Sequence, residues 1–297
     1  MKDTIRYRSH SVWEKREALI DLSAHHLRRG SLALVLGAGV SMGAGLPSWT
    51  KLVNRMFREA HTGRPKGLND IQASDYLLSQ VCGGSDSDFA TLTRKSLYKS
   101  YTTSLETLAS KPLLRSLGAL VMQSVRGSAA SVVTFNFDDL LEQYLSYHGF
   151  SIASIGQLPR WRVRADVVVY HPHGLLPSDM AKAQSPGIVM AQAHYDRVIG
   201  DAKMQWNALL NDILDSHFCL LVGLSGDDDN LSSLLTLSNS RHASISEKIP
   251  FRGIRLGVKT NRGKTALWKQ RGVWPLDLRN YEEYPDFILK ICQKAAG

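Results

Sequence analysis

The chain reads Gly37-Ala-Gly-Val-Ser-Met-Gly-Ala-Gly-Leu-Pro-Ser-Trp49 directly after the apolar run Leu32-Ala-Leu-Val-Leu36. This order predicts a buried strand that runs into a glycine loop. Glycines let backbone N–H groups approach an anion where a Cβ would block them, and a following helix N-terminus adds partial positive charge. The acidic residue that a plain dinucleotide fingerprint needs about 20 positions on would be Glu59, which lies in a predicted helix (Lys51–Ala60). The stretch therefore favours phosphate binding but not the ordinary dehydrogenase plan.

Two further predicted strand ends carry polar side chains. Residues 131–142 read Ser-Val-Val-Thr-Phe-Asn-Phe-Asp-Asp-Leu-Leu-Glu, a strand that ends at Asn136 and Asp138 and enters a helix. Residues 167–174 read Val-Val-Val-Tyr-His-Pro-His-Gly, a strand that ends in His171 and His173. Because ligands bind outside the carboxyl ends of strands in an open parallel sheet, we expect the three polar sets to lie at one edge.

The rest of the chain alternates between helix and strand patterns. Strands are predicted at Phe218–Val222, Gly253–Val258 and Val273–Leu276, with helices between and after them, which is typical of a doubly wound parallel sheet. The roughly 90 residues before Ser131 have helical periodicity and exceed what a crossover needs. We predict an α/β, Rossmann-like domain of residues 1–50 and 126–297, with residues 1–30 as an N-terminal helical arm that opens on a capping box at Ser11–Glu14. Residues 51–125 are predicted to form a helical insertion that covers the pocket.

In this order the motifs resemble those of the sirtuin (Sir2) superfamily. The family pattern Gly-Ala-Gly-x-Ser-x-x-x-Gly-Ile-Pro is matched by Gly37, Ala38, Gly39, Ser41, Gly45, Leu46 and Pro47, with leucine in place of isoleucine. The Thr-Gln-Asn-Ile-Asp element is matched by Thr134, Asn136 and Asp138, the His-Gly pair by His173 and Gly174, and a later Gly-x-Ser loop by Gly223 and Ser225. The resemblance implies a Rossmann-like domain that binds NAD.

Two departures from the sirtuin deacylases bear on activity. Those enzymes usually hold a structural zinc with four cysteines, whereas this chain has only three, Cys82, Cys219 and Cys292, and no Cys-x-x-Cys pair. Their Phe-Arg after the proline is replaced by Trp49-Thr50. We therefore expect no zinc ribbon, and acyl-lysine peptide binding is disfavoured. His171 and His173 alternate along one strand and could be metal ligands, but no third ligand lies at a telling distance, so we predict no metal.

The chain is most similar to the reduced sirtuin-like domains of bacterial antiphage defence, which hydrolyse NAD⁺ to nicotinamide and ADP-ribose. Thr-Phe-Asn-Phe-Asp-Asp at 134–139 and Gly-Leu-Ser-x-x-Asp-x-Asn-Leu at 223–231 are typical of that branch. The resemblance implies an NAD⁺ glycohydrolase, a homo-oligomer, and a HerA-type ATPase as a possible partner. The alternatives are a deacylase or ADP-ribosyltransferase, and a non-catalytic subunit that binds NAD or ADP-ribose.

The resemblance also implies roles for individual residues. Asn136 would position the attacking water, and His173 would contact the ribose hydroxyls or relay a proton. Asp138 would bind the nicotinamide carboxamide, with His171 a neighbour of the site. The remaining cofactor-binding candidates are the diphosphate set Gly37, Ala38, Gly39 and Ser41, the adjoining Gly45, Leu46 and Pro47, and the adenosine set Gly223, Ser225 and Asn230.

Several of these residues also have purely structural interpretations. Asp138 or Asp139 could cap the following helix, and for Asp139 we favour this interpretation because Asp139 and Glu142 have capping-box spacing. Asn136 could be a turn residue.

Composition limits the remaining choices. The chain has 297 residues, 43% of them hydrophobic, and no apolar run near the ~20 residues that span a bilayer. Three cysteines without obvious pairing, and an N-terminus with no apolar signal core, favour a cytoplasmic protein. The net charge is +9, and residues 241–280 carry ten Lys or Arg against Glu247 and Asp277. No nucleic-acid motif accompanies them, so we expect a solvated or partner-facing surface rather than direct nucleic-acid binding.

Overall fold

The computed structural model describes residues 10–122, 129–158, 164–182, 184–185, 187–192, 194, 201–226, 229–243 and 250–297. These residues form two compact units, each built from separate stretches of the chain. The first unit lies within Met1–Gly37, Pro112–Val133 and Asn207–Gly297, and the second within Ala38–Lys111 and Thr134–Trp206.

The described strands form one sheet in the order β3-β4-β2-β1-β5-β6-β7. Their bounds are Leu32–Leu36 (β1), Ala129–Thr134 (β2), Ile152–Ile155 (β3), Val167–Tyr170 (β4), Phe218–Val222 (β5), Gly253–Val258 (β6) and Val273–Leu278 (β7). The pairs β1–β5, β3–β4, β5–β6 and β6–β7 are parallel. The predicted Rossmann-like parallel sheet is therefore confirmed.

Helices precede β1, lie between several of the strands and follow β7. Their bounds are His10–Trp13 (α1), Arg16–Arg28 (α2), Ala38–Ala44 (α3), Trp49–Glu59 (α4), Asp70–Tyr76 (α5, continued by a π-helical turn Leu77–Val81), Asp86–Leu97 (α6), Leu105–Ala109 (α7), Pro112–Met122 (α8), Leu140–Tyr147 (α9), Asp201–Ser216 (α10), Asp229–Ala243 (α11), Arg262–Gln270 (α12) and Glu283–Ala296 (α13). No helix in the described part of the chain combines the length and apolar character needed to cross a bilayer.

The first unit contains the point where the strand order reverses. β1 has β5 as one neighbour, although the next strand along the chain, β2, lies on its other side. Both β1 and β5 are completely buried, which explains why each reads as a continuous apolar run. In sheets of this type, ligands bind beyond the carboxyl ends of strands at such a reversal. Gly37 follows β1 and Gly223 follows β5.

The second unit contains α3 to α7, α9 and the strands β3 and β4. Its helix α6 carries a buried arginine, Arg94, whose Nε donates to the carbonyl oxygen of Pro177 at 2.6 Å. A second nitrogen of Arg94 donates to the carbonyl oxygen of Asp179. The Arg94 guanidinium thereby binds the segment that follows His173 through the backbone carbonyl oxygens of that segment.

The N-terminal helix differs from the prediction. The predicted single helix is interrupted between α1 and α2, and Ser11 lies inside α1. The N-cap of α2 is Lys15, whose side chain makes no capping hydrogen bond. The capping box proposed at Ser11–Glu14 is therefore wrong. The assignment of residues 51–125 to an insertion that covers a pocket stays a prediction, although residues 51–122 are helical apart from their connecting turns.

Candidate functional site

The glycine segment after β1 begins with a helix rather than a loop. Helix α3 begins at Ala38, so Gly37 alone separates strand from helix. The Gly37 N–H donates to the carbonyl oxygen of Val222 at 2.9 Å. A Cβ at Gly37 would lie 2.7 Å from the carbonyl oxygen of Gly223 and 2.5 Å from Cδ2 of Leu224. Gly37 is thus required by the close approach of the residues that follow β5.

The second half of the segment ends α3 and starts α4. Gly45 has φ +112°, and its N–H donates to the carbonyl oxygen of Met42 at 3.0 Å, so it acts as the terminating glycine. Leu46 is buried, and its N–H donates to the carbonyl oxygen of Ser41 at 3.0 Å. Pro47 follows, and Ser48 caps α4 by accepting from the Lys51 N–H at 3.5 Å. Gly45, Leu46 and Pro47 therefore have a role in helix termination, whatever they contribute to a ligand.

Ser41 and Asp138 meet in the second unit. The Ser41 hydroxyl donates to Oδ2 of Asp138, and the Leu140 N–H donates to Oδ1 at 3.3 Å. Asp138 is 8% exposed. Its burial raises the pKa of the carboxyl to about 6, because the Ser41 hydrogen bond only partly offsets the desolvation and Glu142 adds repulsion. Asp138 is consequently an ionised but poorly hydrated acceptor near neutral pH.

Asn136 lies between two backbone anchors. Its N–H donates to the Thr134 hydroxyl at 3.2 Å. Its carbonyl oxygen faces Nδ1 of His171 at 3.1 Å. One residue further on, the carbonyl oxygen of Phe137 accepts from the Leu176 N–H at 2.7 Å. The segment that carries Asn136 and Asp138 is thus bound to the segment that carries the two histidines.

His171 pairs with a buried carboxylate. Its Nε2 lies 2.6 Å from Oε1 of Glu142, and the Ser154 hydroxyl donates to the same oxygen at 3.3 Å. Burial alone would lower the pKa of His171, but the Glu142 carboxylate, the Asn136 carbonyl and Asp138 together raise it above its usual value. No part of the His171 side chain is exposed. Its predicted place beside the site, rather than as a catalyst, stays a prediction.

His173 packs against the residue that precedes Asn136. Its ring lies edge-on to Phe135, with 5.0 Å between the ring centroids. The carbonyl oxygen of His173 accepts from the Val189 N–H at 2.8 Å. Gly174 has φ +93°, and a Cβ there would lie 2.8 Å from the carbonyl oxygen of Gly187. Both the backbone conformation and the close packing at position 174 therefore favour glycine in the His-Gly pair.

Asp139 does not form the expected capping box. It occupies the N-cap position of α9, but its side chain caps nothing. Its carboxylate accepts instead from the Tyr98 hydroxyl at 3.2 Å, the Ser178 N–H at 2.8 Å and the Gln143 amide at 3.0 Å. Burial and, to a smaller extent, repulsion from the Asp139 carboxylate raise the pKa of Tyr98 well above its usual value. The capping role belongs to Asp138, because its carboxylate accepts from the first N–H of α9.

In the first unit, the loop after β5 is held by two arginines that the sequence did not single out. Nε and Nη2 of Arg255 donate to the carbonyl oxygen of Leu224 at 3.0 and 2.9 Å. Arg271 donates to the carbonyl oxygen of Gly226 at 3.1 Å. Both guanidinium groups also lie over the ring of Trp268, at 5.7 and 5.6 Å from its centroid. These arginines belong to the basic segment of residues 241–280, and nothing local in the sequence marks them as residues that hold a loop.

The structure thus brings some predicted residues together within each unit. The second unit joins Ser41 to Asp138, and Asn136 to His171; the first unit joins Gly37 to Gly223. Ser225 is exposed. Asn230 is the second residue of α11, but its side chain lies outside the described residues, as does the whole of Asp228. Among the described residues, no group of three or more His, Cys, Asp or Glu side chains is placed to hold a metal ion.

Part of the chain matches a known protein family. Residues 130–251 match the family model of the SIR2-like domain. A solved structure described as "Structural Basis for the Mechanism and Regulation of Sir2 Enzymes" is similar, with a TM-score of 0.46 and 12% sequence identity over 94% of this chain and 97% of that chain. A search of the curated proteins gave no match. The residues that match the SIR2-like domain include Asn136, Asp138, His171 and His173.

Proposed function

We propose that this protein is an NAD⁺ glycohydrolase that cleaves NAD⁺ to nicotinamide and ADP-ribose. The observation that carries the proposal is the short segment with Asn136 and Asp138, which Ser41 and His171 hold from two other parts of the second unit. The SIR2-like match over residues 130–251 supports a pyridine dinucleotide as the ligand.

The leaving group would be bound by Asp138. A carboxamide NH₂ donates hydrogen bonds, and an ionised carboxylate is a strong acceptor for it. Asp138 is ionised above a pKa of about 6 and is buried, so its charge is poorly screened by water. Each of its oxygens already accepts one hydrogen bond, which leaves lone pairs for a ligand. The residue therefore fits the nicotinamide end of NAD⁺.

Hydrolysis then needs an oriented water more than a strong base. The bond between the anomeric carbon and the nicotinamide nitrogen breaks, the electron pair leaves with nicotinamide, and the cation-like carbon accepts a water oxygen. The Asn136 amide would orient that water, and orientation alone supplies a large part of the barrier reduction. His173 would contact the ribose hydroxyls or take the proton that the water releases.

The other assignments are parts of the same proposal. Gly37, Ala38, Gly39 and Ser41 would bind the diphosphate, Gly45, Leu46 and Pro47 would complete that binding segment, and Gly223, Ser225 and Asn230 would contact the adenosine half. In its host the enzyme would act in antiphage defence by depleting NAD⁺. It would work in the cytoplasm as a homo-oligomer, silent until a HerA-type ATPase or an infection signal activates it.

The test is to incubate NAD⁺ with the protein, alone and with a HerA-type ATPase, and to follow nicotinamide and ADP-ribose by chromatography. Asn136→Ala should abolish turnover. Asn69→Ala is the matched control, because Asn69 caps α5 by accepting from the Gln72 N–H at 2.9 Å in the same unit. It should cost stability, about 1 kcal/mol, and leave turnover unchanged.

Two results would contradict the proposed activity, and a third would contradict the role of Asn136. Nicotinamide release that requires an acylated or acceptor peptide would indicate a deacylase or ADP-ribosyltransferase. Tight binding of NAD⁺ without turnover in the full complex would indicate an assembly subunit. A normal rate in Asn136→Ala would remove Asn136 from the mechanism.

A further inference from the structure

The contacts of His171 require a specific arrangement of protons. Its Nδ1 faces the carbonyl oxygen of Asn136, which can only accept, so Nδ1 must carry a proton. Its Nε2 faces Oε1 of Glu142 at 2.6 Å, and one proton must lie between these two atoms. A neutral imidazole beside a carboxylate cannot supply both protons. The pair must therefore be either an imidazolium with a carboxylate or an imidazole with a carboxylic acid.

A second buried histidine in the same unit shows the opposite arrangement. Nδ1 of His194 faces the backbone N–H groups of Met190 and Ala191, at 3.4 and 3.2 Å, so it must accept. Its Nε2 then carries the proton and donates to Asp86 at 3.1 Å. A neutral imidazole satisfies these contacts. Both histidines pair with a carboxylate, but only the contacts of His171 require an additional proton.

We propose that Glu142 and His171 are positioning residues for Asn136, joined to its backbone through a proton that the pair must hold. The proposal rests on the proposed function, because it gives the position of Asn136 a catalytic meaning. His171, just after β4, contacts the Asn136 carbonyl oxygen, and Glu142, on α9, contacts His171. The Ser154 hydroxyl of β3 fixes the Glu142 oxygen from a third element.

Loss of that proton breaks one of the two contacts. If the remaining proton stays on Nδ1, the lone pairs of Nε2 and Glu142 face each other. If it moves to Nε2, the lone pair of Nδ1 faces the carbonyl oxygen of Asn136. The charged groups that act on His171 are Glu142, on α9, and Asp138, just before α9, and both favour the protonated ring. We call the chain of contacts from Glu142 through His171 to the Asn136 carbonyl the brace, and we expect it to hold at neutral pH and to fail on the alkaline side.

Glu142→Gln keeps the hydrogen bond to Nε2 of His171 but removes the need for the additional proton. A glutamine amide can donate to Nε2 while a neutral His171 keeps its proton on Nδ1, and the Ser154 hydroxyl can accept in turn. This variant should keep most of the activity and lose the alkaline decline that the pair causes. Glu142→Leu cannot donate and should lose activity at every pH. Rescue by glutamine but not by leucine is a result that a purely space-filling role would not give.

The spectroscopic test does not depend on turnover. In protein with ¹⁵N-labelled histidine, Nδ1 of His171 should be protonated at pH 7 in the wild type and in Glu142→Gln. The amide resonance of Phe137, whose nitrogen is bonded to the Asn136 carbonyl carbon, should shift in His171→Phe and stay in place in His194→Phe. Because His171→Phe leaves Glu142 buried beside an apolar ring, the double variant His171→Phe/Glu142→Leu is measured beside it.

The kinetic test compares the same variants. Loss of the brace should lower kcat for NAD⁺ hydrolysis on the order of 10²-fold with little change in KM, as a small misplacement of a catalytic group does. His194→Phe should keep the wild-type kcat. An unprotonated Nδ1 at pH 7, an unmoved Phe137 resonance, or a full kcat in the double variant overturns the proposal. A wild type that releases no nicotinamide overturns the proposed function instead, and the spectra still decide whether the brace exists.

Discussion

The Ser41 hydroxyl donates a hydrogen bond to the Asp138 carboxylate, which lies 97 residues further along the chain. Ser41 belongs to α3, and Asp138 immediately precedes Asp139, the N-cap of α9. The bond stabilises the ionised carboxylate and so opposes the desolvation that raises its pKa. Ser41, which the family resemblance assigns to the diphosphate, therefore also lowers the pKa of Asp138, the residue proposed to bind nicotinamide.

Ser41→Ala should move the acid limb of activity toward neutral pH. Without the hydroxyl, the pKa of Asp138 rises further, and the carboxylate is protonated at a higher pH. The measurement is kcat/KM for NAD⁺ from pH 5 to pH 9. Ser48→Ala is the control, because Ser48 lies on the same segment but caps α4. An acid limb that is identical in wild type and Ser41→Ala would show that Asp138 is not the titrating group.

Asp138→Asn should stabilise the fold above pH 6 while it removes activity. The folded-state pKa of about 6 exceeds the reference value of 3.8. The folded chain therefore binds this proton more tightly, and the stability it provides at low pH is lost as pH rises through about 6. A shift of this size corresponds to roughly 3 kcal/mol at most. Asparagine has no charge to bury and can still accept from the Leu140 N–H.

Urea unfolding of wild type and Asp138→Asn between pH 4 and pH 8 measures this difference. The free energies of unfolding of the two proteins should diverge in favour of the variant as pH rises from 4 to 6, and then run parallel. A constant difference across this range would mean that the pKa of Asp138 is not raised in the folded protein.

Gly37→Ala should destabilise the protein by about 1–3 kcal/mol, the usual cost of forcing an extra methyl group into a packed site. The Leu224 side chain can move away from the new Cβ, but the Gly223 carbonyl oxygen belongs to the backbone. Gly63→Ala is the matched control, since a Cβ there meets nothing within 4 Å. Thermal unfolding of both variants gives the comparison. Equal midpoints would contradict the tight approach of β5 to this position.

The basic segment should bind duplex DNA at physiological salt no more tightly than a nonspecific protein does. Several of its charges are used inside the first unit. Arg241 and Arg252 contact Asp215, Arg255 and Arg271 hold the loop after β5, and Lys269 lies 4.2 Å from the ring centroid of Trp274. Fluorescence anisotropy with a labelled duplex should show no binding tighter than the nonspecific range of about 10⁻⁴ to 10⁻⁶ M. Submicromolar binding that weakens steeply with salt would indicate a nucleic-acid surface.

The central strands could be predicted because burial on both faces leaves a continuous apolar run, as in Leu32–Leu36 and Phe218–Val222. β3 was missed. It has only four residues at one end of the sheet, and Ser154 interrupts its apolar pattern. Its pairing with β4 comes from the neighbouring strand rather than from its own composition. The glycines after β1 predict a loop, but a helix begins at Ala38, because glycines do not prevent a short helix that tertiary contacts stabilise.

The sequence indicates which polar residues lie near the site, but it does not indicate which of them form hydrogen bonds with each other. Asp139 and Glu142 have the spacing of a capping box, and local spacing was the only signal for them. In the structure Asp139 accepts from Tyr98 and Ser178, and Glu142 pairs with His171, and these partners are distant in sequence. Such contacts depend on how the segments meet in three dimensions. One sequence contains no direct signal for that.

The division of the chain has a practical consequence for anyone who dissects it. The backbone passes from one unit to the other after Gly37, Lys111, Val133 and Trp206, so each unit is a mosaic of noncontiguous fragments. A truncated protein that ends at any of these junctions lacks part of the core of at least one unit. Deletion mapping of activity or partner binding would thus report misfolding, and point substitutions or circular permutation are the appropriate tools.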